Sequence, residues 1–185
     1  RRVTAFHEAG HALITKLLMP ENKVSRITII PSTKGAGGFS MNIPPDRMYY
    51  QKKDMENNIR IALGGRASEE IIFGSDSITS GASNDLEKAT QIIINMVRRF
   101  GMKDKSGLLN YDVLYHNGIQ QVSNDIVQEC KDTMNILYDD VKTILIENRE
   151  LLEKITCVLL EKETVDEQEL DLIINSYMDK SKGIA

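Results

Sequence analysis

The sequence predicts a mainly α fold: an N-terminal helix, a small β-hairpin or sheet, further helices and a C-terminal helical bundle, in one domain spanning residues 1–185. Three observations predict it. Apolar residues recur at steps of three and four through most of the chain, the spacing that gives a helix one buried face. Two short runs with β-branched residues, 23–31 and 39–43, flank a glycine-rich stretch, as the arms of a hairpin do. The 185 residues are 41% hydrophobic and 27% charged, a composition that supports a sizeable core.

The elements follow in order. Arg1 to Leu18 holds no proline and is rich in Ala and Leu, so it reads as a helix. Val3, Phe6, Ala9, Gly10, Leu13, Ile14, Leu17 and Leu18 go most of the way round it, which predicts a largely buried helix. Met19-Pro20 ends it, because a residue before proline is pushed out of the α region. Lys23 to Pro31 and Phe39 to Ile43 read as strands, joined by a turn over Ser32 to Gly38 and stopped by Pro44-Pro45. Asp54 to Phe73 reads as a second helix with an inner stripe of Met55, Ile59, Ala62, Arg66, Glu69 and Phe73, where Arg66 and Glu69 have the spacing of a buried ion pair. A third helix, from about Asn84 to Phe100, has Asn84 and Glu87 at capping-box spacing, its stripe running Ala82, Asp85, Ala89, Ile92/Ile93 and Met96. Gly101 should stop it. Met102 to Gly118 reads as irregular. From about Gln120 the chain reads as helical, in three amphipathic segments, the last capped by Asp166 with Glu169. Within the single domain, 1–118 is expected to be the catalytic core and 119–185 the helical C-terminal part.

The chemistry concentrates in His7-Glu8-Ala9-Gly10-His11, an H-E-x-x-H pattern. Residues four apart on a helix share a face, so both imidazoles can bind one Zn²⁺ while Glu8 acts as base on a metal-bound water. The alternative is a core helix with two satisfied histidines. Only three histidines occur in the chain, and burying two of them beside a carboxylate is costly without a compensating partner. A catalytic zinc takes three protein ligands and leaves one position open. Candidates for the third are Glu69, Glu70, Asp85, Asp112 and His116, with Glu70 expected to face away and His116 to lie at the surface. On residue pattern alone, Glu69 and Asp85 compete.

The net charge of −4, with basic residues scattered among acids, gives no case for nucleic acid as a partner. No apolar run approaches the length of a membrane span. Cys130 and Cys157 read as buried free thiols within helices rather than a disulfide or a metal pair. Lys34-Gly35-Ala36-Gly37-Gly38 lacks the spacing of a phosphate loop.

Six ordered blocks carry a resemblance: TAFHEAGHAL (Thr4 to Leu13), ITIIP (Ile27 to Pro31), LGGRASEEIIFG (Leu63 to Gly74), TSGASNDLEKAT (Thr79 to Thr90), FGMKDKSG (Phe100 to Gly107) and LLEKETVDEQEL (Leu159 to Leu170). The chain resembles the peptidase domain of the FtsH/AAA protease family, membrane-anchored ATP-dependent zinc proteases. The resemblance implies a zincin-like HExxH helix, one Zn²⁺ held by His7, His11 and Asp85, and Glu8 as catalytic base. It moves Glu69 to a supporting position behind a ligand or within the fold. It implies an AAA+ module and membrane helices ahead of Arg1 in a longer parent, ATP used only through that module, and a homo-hexamer with this domain on the cytoplasmic side. Substrates would be unfolded or membrane proteins, lying extended along the strand Phe39, Ser40, Met41, Asn42 and Ile43 and read by backbone pairing. The fragment itself is expected to be soluble. The chain departs from the family in a short loop from Asn110 to Gln121, in Ile126-Val127-Gln128-Glu129-Cys130 without the usual Asp, and at Gln51 where Ser or Thr is usual. Two other readings compete: a non-catalytic helical assembly domain with a residual metal site, and a free-standing metallopeptidase without an ATPase.

Overall fold

The computed structural model describes residues 1–31, 39–43, 48–120 and 124–183. Among them run α1 (Arg2–Leu18), β1 (Lys23–Thr28), β2 (Phe39–Ile43), α2 (Lys52–Phe73), α3 (Ser83–Arg98), α4 (Tyr111–His116), α5 (Asn124–Glu147), α6 (Arg149–Lys162), β3 (Thr164–Asp166) and α7 (Glu167–Ser181). The fold is mainly helical with one small antiparallel sheet, as the apolar spacing predicts.

Helix α1 is buried without a break from Ala5 to Thr15. It is covered by α2 on one side and α6 on another, with the sheet close by. α2 can lie against it closely because glycines meet where they cross. A Cβ on Gly10 would stand 2.5 Å from the Gly64 carbonyl oxygen and 2.8 Å from Ser68 Cβ. Ser68 Oγ donates to the Phe6 carbonyl at 2.7 Å and fixes the register of the two helices. The single-stripe expectation for α2 is therefore too narrow. Of its six residues only Ile59 and Glu69 are buried, while Ile61, Leu63, Gly64, Gly65, Ala67 and Ser68 are buried as well. α2 is clasped between α1 and α5, and an element packed on two sides has no single inner stripe.

The sheet has the order β2-β1-β3, so β2 is an edge strand. Both pairings are antiparallel, with Ile27 opposite Ser40 on one side and Val165 on the other. β1 ends at Thr28 rather than Pro31. The predicted turn over 32–38 and the proline stop at 44–45 lie outside the described residues. β3 is too short to be visible as a sequence pattern. It forms because Glu163 turns the chain at φ +67°, which lets the next residues pair with β1. Ile29 N–H then donates to the Glu163 carbonyl at 3.0 Å. One apolar cluster joins Leu13 and Ile14 of α1, Ile27 of β1, Leu145 of α5 and Ile155 of α6, so both halves of the chain share a core.

Three local expectations give way. α2 begins at Lys52, where Gln51 and Asp54 form a reciprocal capping box, so Gln51 does the work that Ser or Thr would. Asn84 and Glu87 do not cap α3. A 3₁₀ turn over Ser80–Ala82 runs directly into Ser83, and Thr79 caps that turn instead. Residues 111–116 are helical rather than irregular, because Asn110 Oδ1 accepts from the amides of Asp112 and Val113. Asp166 does cap α7, accepting from Glu169 N–H at 2.9 Å. Cys130 and Cys157 are free, but Cys157 is exposed rather than buried.

Gly10→Ala should lower stability although alanine is the better helix former. Overpacking costs about 1–3 kcal/mol, against a gain of about 1 kcal/mol from helix propensity. The net cost of up to about 2 kcal/mol corresponds to a fall in melting temperature of up to about 8 °C for a domain of this size. A rise would show that the α1–α2 crossing tolerates a methyl group.

Candidate metal centre

His7 and His11 stand one turn apart on α1, each 8% exposed, with their Nε2 atoms 3.1 Å apart. Each ring is held from behind. His11 Nδ1 donates to the Ile61 carbonyl at 2.7 Å, and His7 Nδ1 donates to Glu69 Oε2 at 2.6 Å. A carbonyl can only accept, and an ionised carboxylate can only accept, so the Nδ1 atoms carry the protons and the neutral rings leave bare lone pairs on Nε2. Asp85, in the first turn of α3, brings Oδ2 to 3.2 Å from His7 Nε2 and 3.1 Å from His11 Nε2. Three acceptor atoms thus converge on one point, and acceptors do not satisfy one another.

A proton or a cation is needed there. Burial opposes a charge on His7, but the carboxylates of Asp85 and Glu69, with the charge of Glu8, outweigh it and raise its pKa to about 9. Burial alone would raise the Asp85 carboxyl; its contacts with His11 and His7 prevail and hold it well below the usual carboxylate range. Glu8, 7% exposed, moves the other way, raised by burial against the pull of His11 and His7. A divalent cation relieves the same convergence more completely than one shared proton. Two imidazole nitrogens and one carboxylate oxygen are the donor set that suits zinc with an open position. His7, His11 and Asp85 are the group able to hold a metal among the described residues.

α2 makes the space. A Cβ on Gly65 would fall against His7 Nε2 and 2.6 Å from His11 Nε2. Glu69, fully buried on the same helix, reaches the far nitrogen of His7 and not the point of convergence. Its other oxygen is taken by Thr79, so the expected pairing with Arg66 is not what satisfies it. The Arg66 guanidinium instead lies 5.9 Å from the centre of the Tyr138 ring. Glu70 faces away and meets Lys142 Nζ at 3.0 Å. Asp112 is bound to Arg98 at 2.8 Å and Arg99 at 3.3 Å, and His116 is exposed at the end of α4. Phe39 to Ile43 form the edge strand β2. The sequence reading assigned nothing to Ile61, Gly65 or Thr79. Ile61 acts through its backbone, which leaves no side-chain signal. Gly64-Gly65 in mid-helix was a usable one, since each glycine there costs about 1 kcal/mol and implies a close neighbour.

Comparison with known proteins covers nearly the whole chain. A family profile described as peptidase family M41 matches residues 1–173. The chain is 52% identical over 178 residues to the ATP-dependent zinc metalloprotease FtsH 1 of Alkaliphilus metalliredigens, covering 96% of this chain and 30% of that protein. It is 46% identical over 173 residues to the ATP-dependent zinc metalloprotease FtsH of Lachnoclostridium phytofermentans, covering 94% and 29%. For the protein of that name from Thermotoga maritima the figures are 34% over 193 residues, 97% and 31%. The chain therefore spans about three-tenths of the length of the curated relatives it matches.

Gly65→Ala should leave a folded protein that holds a divalent metal far more weakly, because the added methyl displaces both imidazoles. The expected loss in affinity is about 100-fold, the upper end of what misoriented ligands cost. Titration against a metal-sensitive chelator dye measures it, and unchanged affinity would mean that α2 does not shape the centre.

Proposed function

The chain belongs to peptidase family M41, and from that membership and the geometry of the centre we propose that it is the zinc metalloendopeptidase part of a longer, ATP-dependent protease. The observation that carries the proposal is the convergence of His7 Nε2, His11 Nε2 and Asp85 Oδ2 while both Nδ1 atoms are tied elsewhere. These three residues would hold one zinc per chain. Zinc so held would supply a Lewis acid, polarising the scissile carbonyl and acidifying a water. Glu8 would take a proton from the attacking water at its carboxylate and return it to the leaving amine, a role suited to a carboxyl whose pKa burial raises against the pull of His11 and His7. Glu69 holds His7 in the tautomer that leaves Nε2 free. The substrate would lie extended along the outer edge of β2, residues Phe39 to Ile43, paired backbone to backbone and chosen loosely by side chain. A purely structural zinc would be closed by a fourth protein ligand; three converge among the described residues, which favours catalysis over an assembly domain with a residual metal.

The relatives are named as ATP-dependent. For this chain's parent we infer an AAA+ module that unfolds unstable or membrane proteins and feeds them to this domain, in a membrane-anchored homo-hexamer facing the cytoplasm. Among the described residues no helix is long and apolar enough to cross a membrane, so the proposed anchor belongs to another part of the parent.

Two variants in the whole protein test the reading together. Glu8→Gln should keep zinc and lose casein cleavage by about 100- to 10,000-fold, the range for a lost general base. Asp85→Asn should lose zinc and cleavage alike. Normal turnover in zinc-loaded Glu8→Gln would overturn the mechanism, and full zinc retention in Asp85→Asn the ligand set.

Zinc must displace the proton from His7, whose pKa is raised to about 9. Apparent zinc affinity should therefore rise about tenfold per pH unit from pH 7 to 9 and level off above, the slope expected for one released proton. Chelator-buffered titrations across that range measure it, and a flat profile would show that the cluster binds zinc without losing a proton.

A further inference from the structure

We propose that Thr79 is a positioning residue for the metal centre, holding the carboxylate that orients His7 and tying it to the segment that delivers Asp85. The inference rests on the zinc peptidase reading and adds to it a residue that does not touch the metal.

Glu69 is fully buried, and a buried carboxylate must have its oxygens satisfied. Oε2 receives His7 Nδ1–H at 2.6 Å. Oε1 receives both donors of Thr79, the amide at 3.0 Å and the hydroxyl at 2.6 Å. The direction of the hydroxyl bond is fixed on two grounds. An ionised carboxylate only accepts, and Thr79 Oγ1 itself accepts from Gly81 N–H at 3.2 Å, leaving its own proton for Glu69. Two arms converge on the Glu69 carboxylate: Gly81 N–H donates to the Thr79 hydroxyl, which donates to Oε1, and His7 Nδ1–H donates to Oε2 from the other side. The two charge-assisted bonds from the Thr79 hydroxyl and His7 Nδ1–H are short, at 2.6 Å each.

The placement of Thr79 gives this arrangement its reach. It caps the 3₁₀ turn Ser80–Ala82, which runs without a break into α3 and its first-turn Asp85. Glu69 on α2 thereby grips α1 through His7 and α3 through Thr79. Losing the hydroxyl would leave Oε1 held by the Thr79 amide alone at 3.0 Å, loosening the carboxylate plane that sets the His7 ring and the approach of Asp85. Loss of an orienting partner costs metal sites about 10–100-fold in affinity.

The test is the zinc dissociation constant of the whole protein, by chelator competition, for Thr79→Val, Thr79→Ser and Thr90→Val. Thr90 is a fair control: it lies on exposed α3 surface, its hydroxyl bonded to the Leu86 carbonyl of the same helix. Thr79→Val should weaken zinc about tenfold, Thr79→Ser should restore it to within about twofold, and Thr90→Val should match wild type. The visible spectrum of the cobalt-loaded protein should change in Thr79→Val and not in Thr79→Ser. Should Thr79→Val fail to fold, Thr79→Ala carries the same expectation. Equal zinc affinity in wild type and Thr79→Val overturns the proposal, as does equal weakening by Val and Ser. A wild-type protein that binds no zinc sinks the parent reading first, so the two failures are distinguishable.

Discussion

Helices α1 and α2 approach so closely that no Cβ fits between Gly10 and Gly64, or between Gly65 and the two imidazoles. That steric constraint underlies the rest of the molecule. It brings the Ile61 carbonyl within 2.7 Å of His11 and the Glu69 carboxylate within 2.6 Å of His7, so one helix supplies the converging Nε2 atoms and its neighbour fixes their tautomers. Glycines in a helix interior are destabilising by themselves. Here the burial of α1 from Ala5 to Thr15 offsets that cost, because the close crossing removes a long apolar surface from water.

The electrostatics follow from the same crossing. Glu8, Glu69 and Asp85 put three carboxylates around two imidazoles in a poorly hydrated place. With protons alone the cluster draws one onto His7 and denies one to Asp85. The three donor atoms converge on one point, where a divalent cation would neutralise the excess. Desolvated charges are tolerated where they are paired and hydrogen-bonded, and each oxygen of Glu69 has a donor from a different element.

The C-terminal helices stiffen this arrangement. β3 completes the sheet on the side of β1 away from β2, which leaves β2 at the edge. Glu167 of α7 accepts from Val24 N–H at 2.8 Å and from Lys16 Nζ at 3.4 Å, linking α7 to β1 and α1 at once. Glu129 of α5, 6% exposed, accepts from the amides of Lys105 and Ser106 and fixes the segment that follows α3. It lies in the stretch that lacks the family's usual Asp, and the two amide donors satisfy its carboxylate there.

His7, Glu8 and His11 were legible in the sequence because their relation is local: helical geometry alone puts residues four apart on one face. Long amphipathic helices and the strand Phe39–Ile43 were legible for the same reason, their periodicity being a property of consecutive residues. The resemblance named the family that the comparisons bear out. Residue pattern could not choose between Glu69 and Asp85, since each lies on an inward face of its own helix and the choice depends on how two helices dock against a third. Tertiary packing places Asp85 beside the two Nε2 atoms and Glu69 behind His7, the arrangement from which the proposed ligand set is argued. Packing also decided β3, the double burial of α2, and the parts played by the Ile61 carbonyl, Gly65 and Thr79. Those depend on contacts between residues distant in the chain, and no local pattern of side chains encodes them.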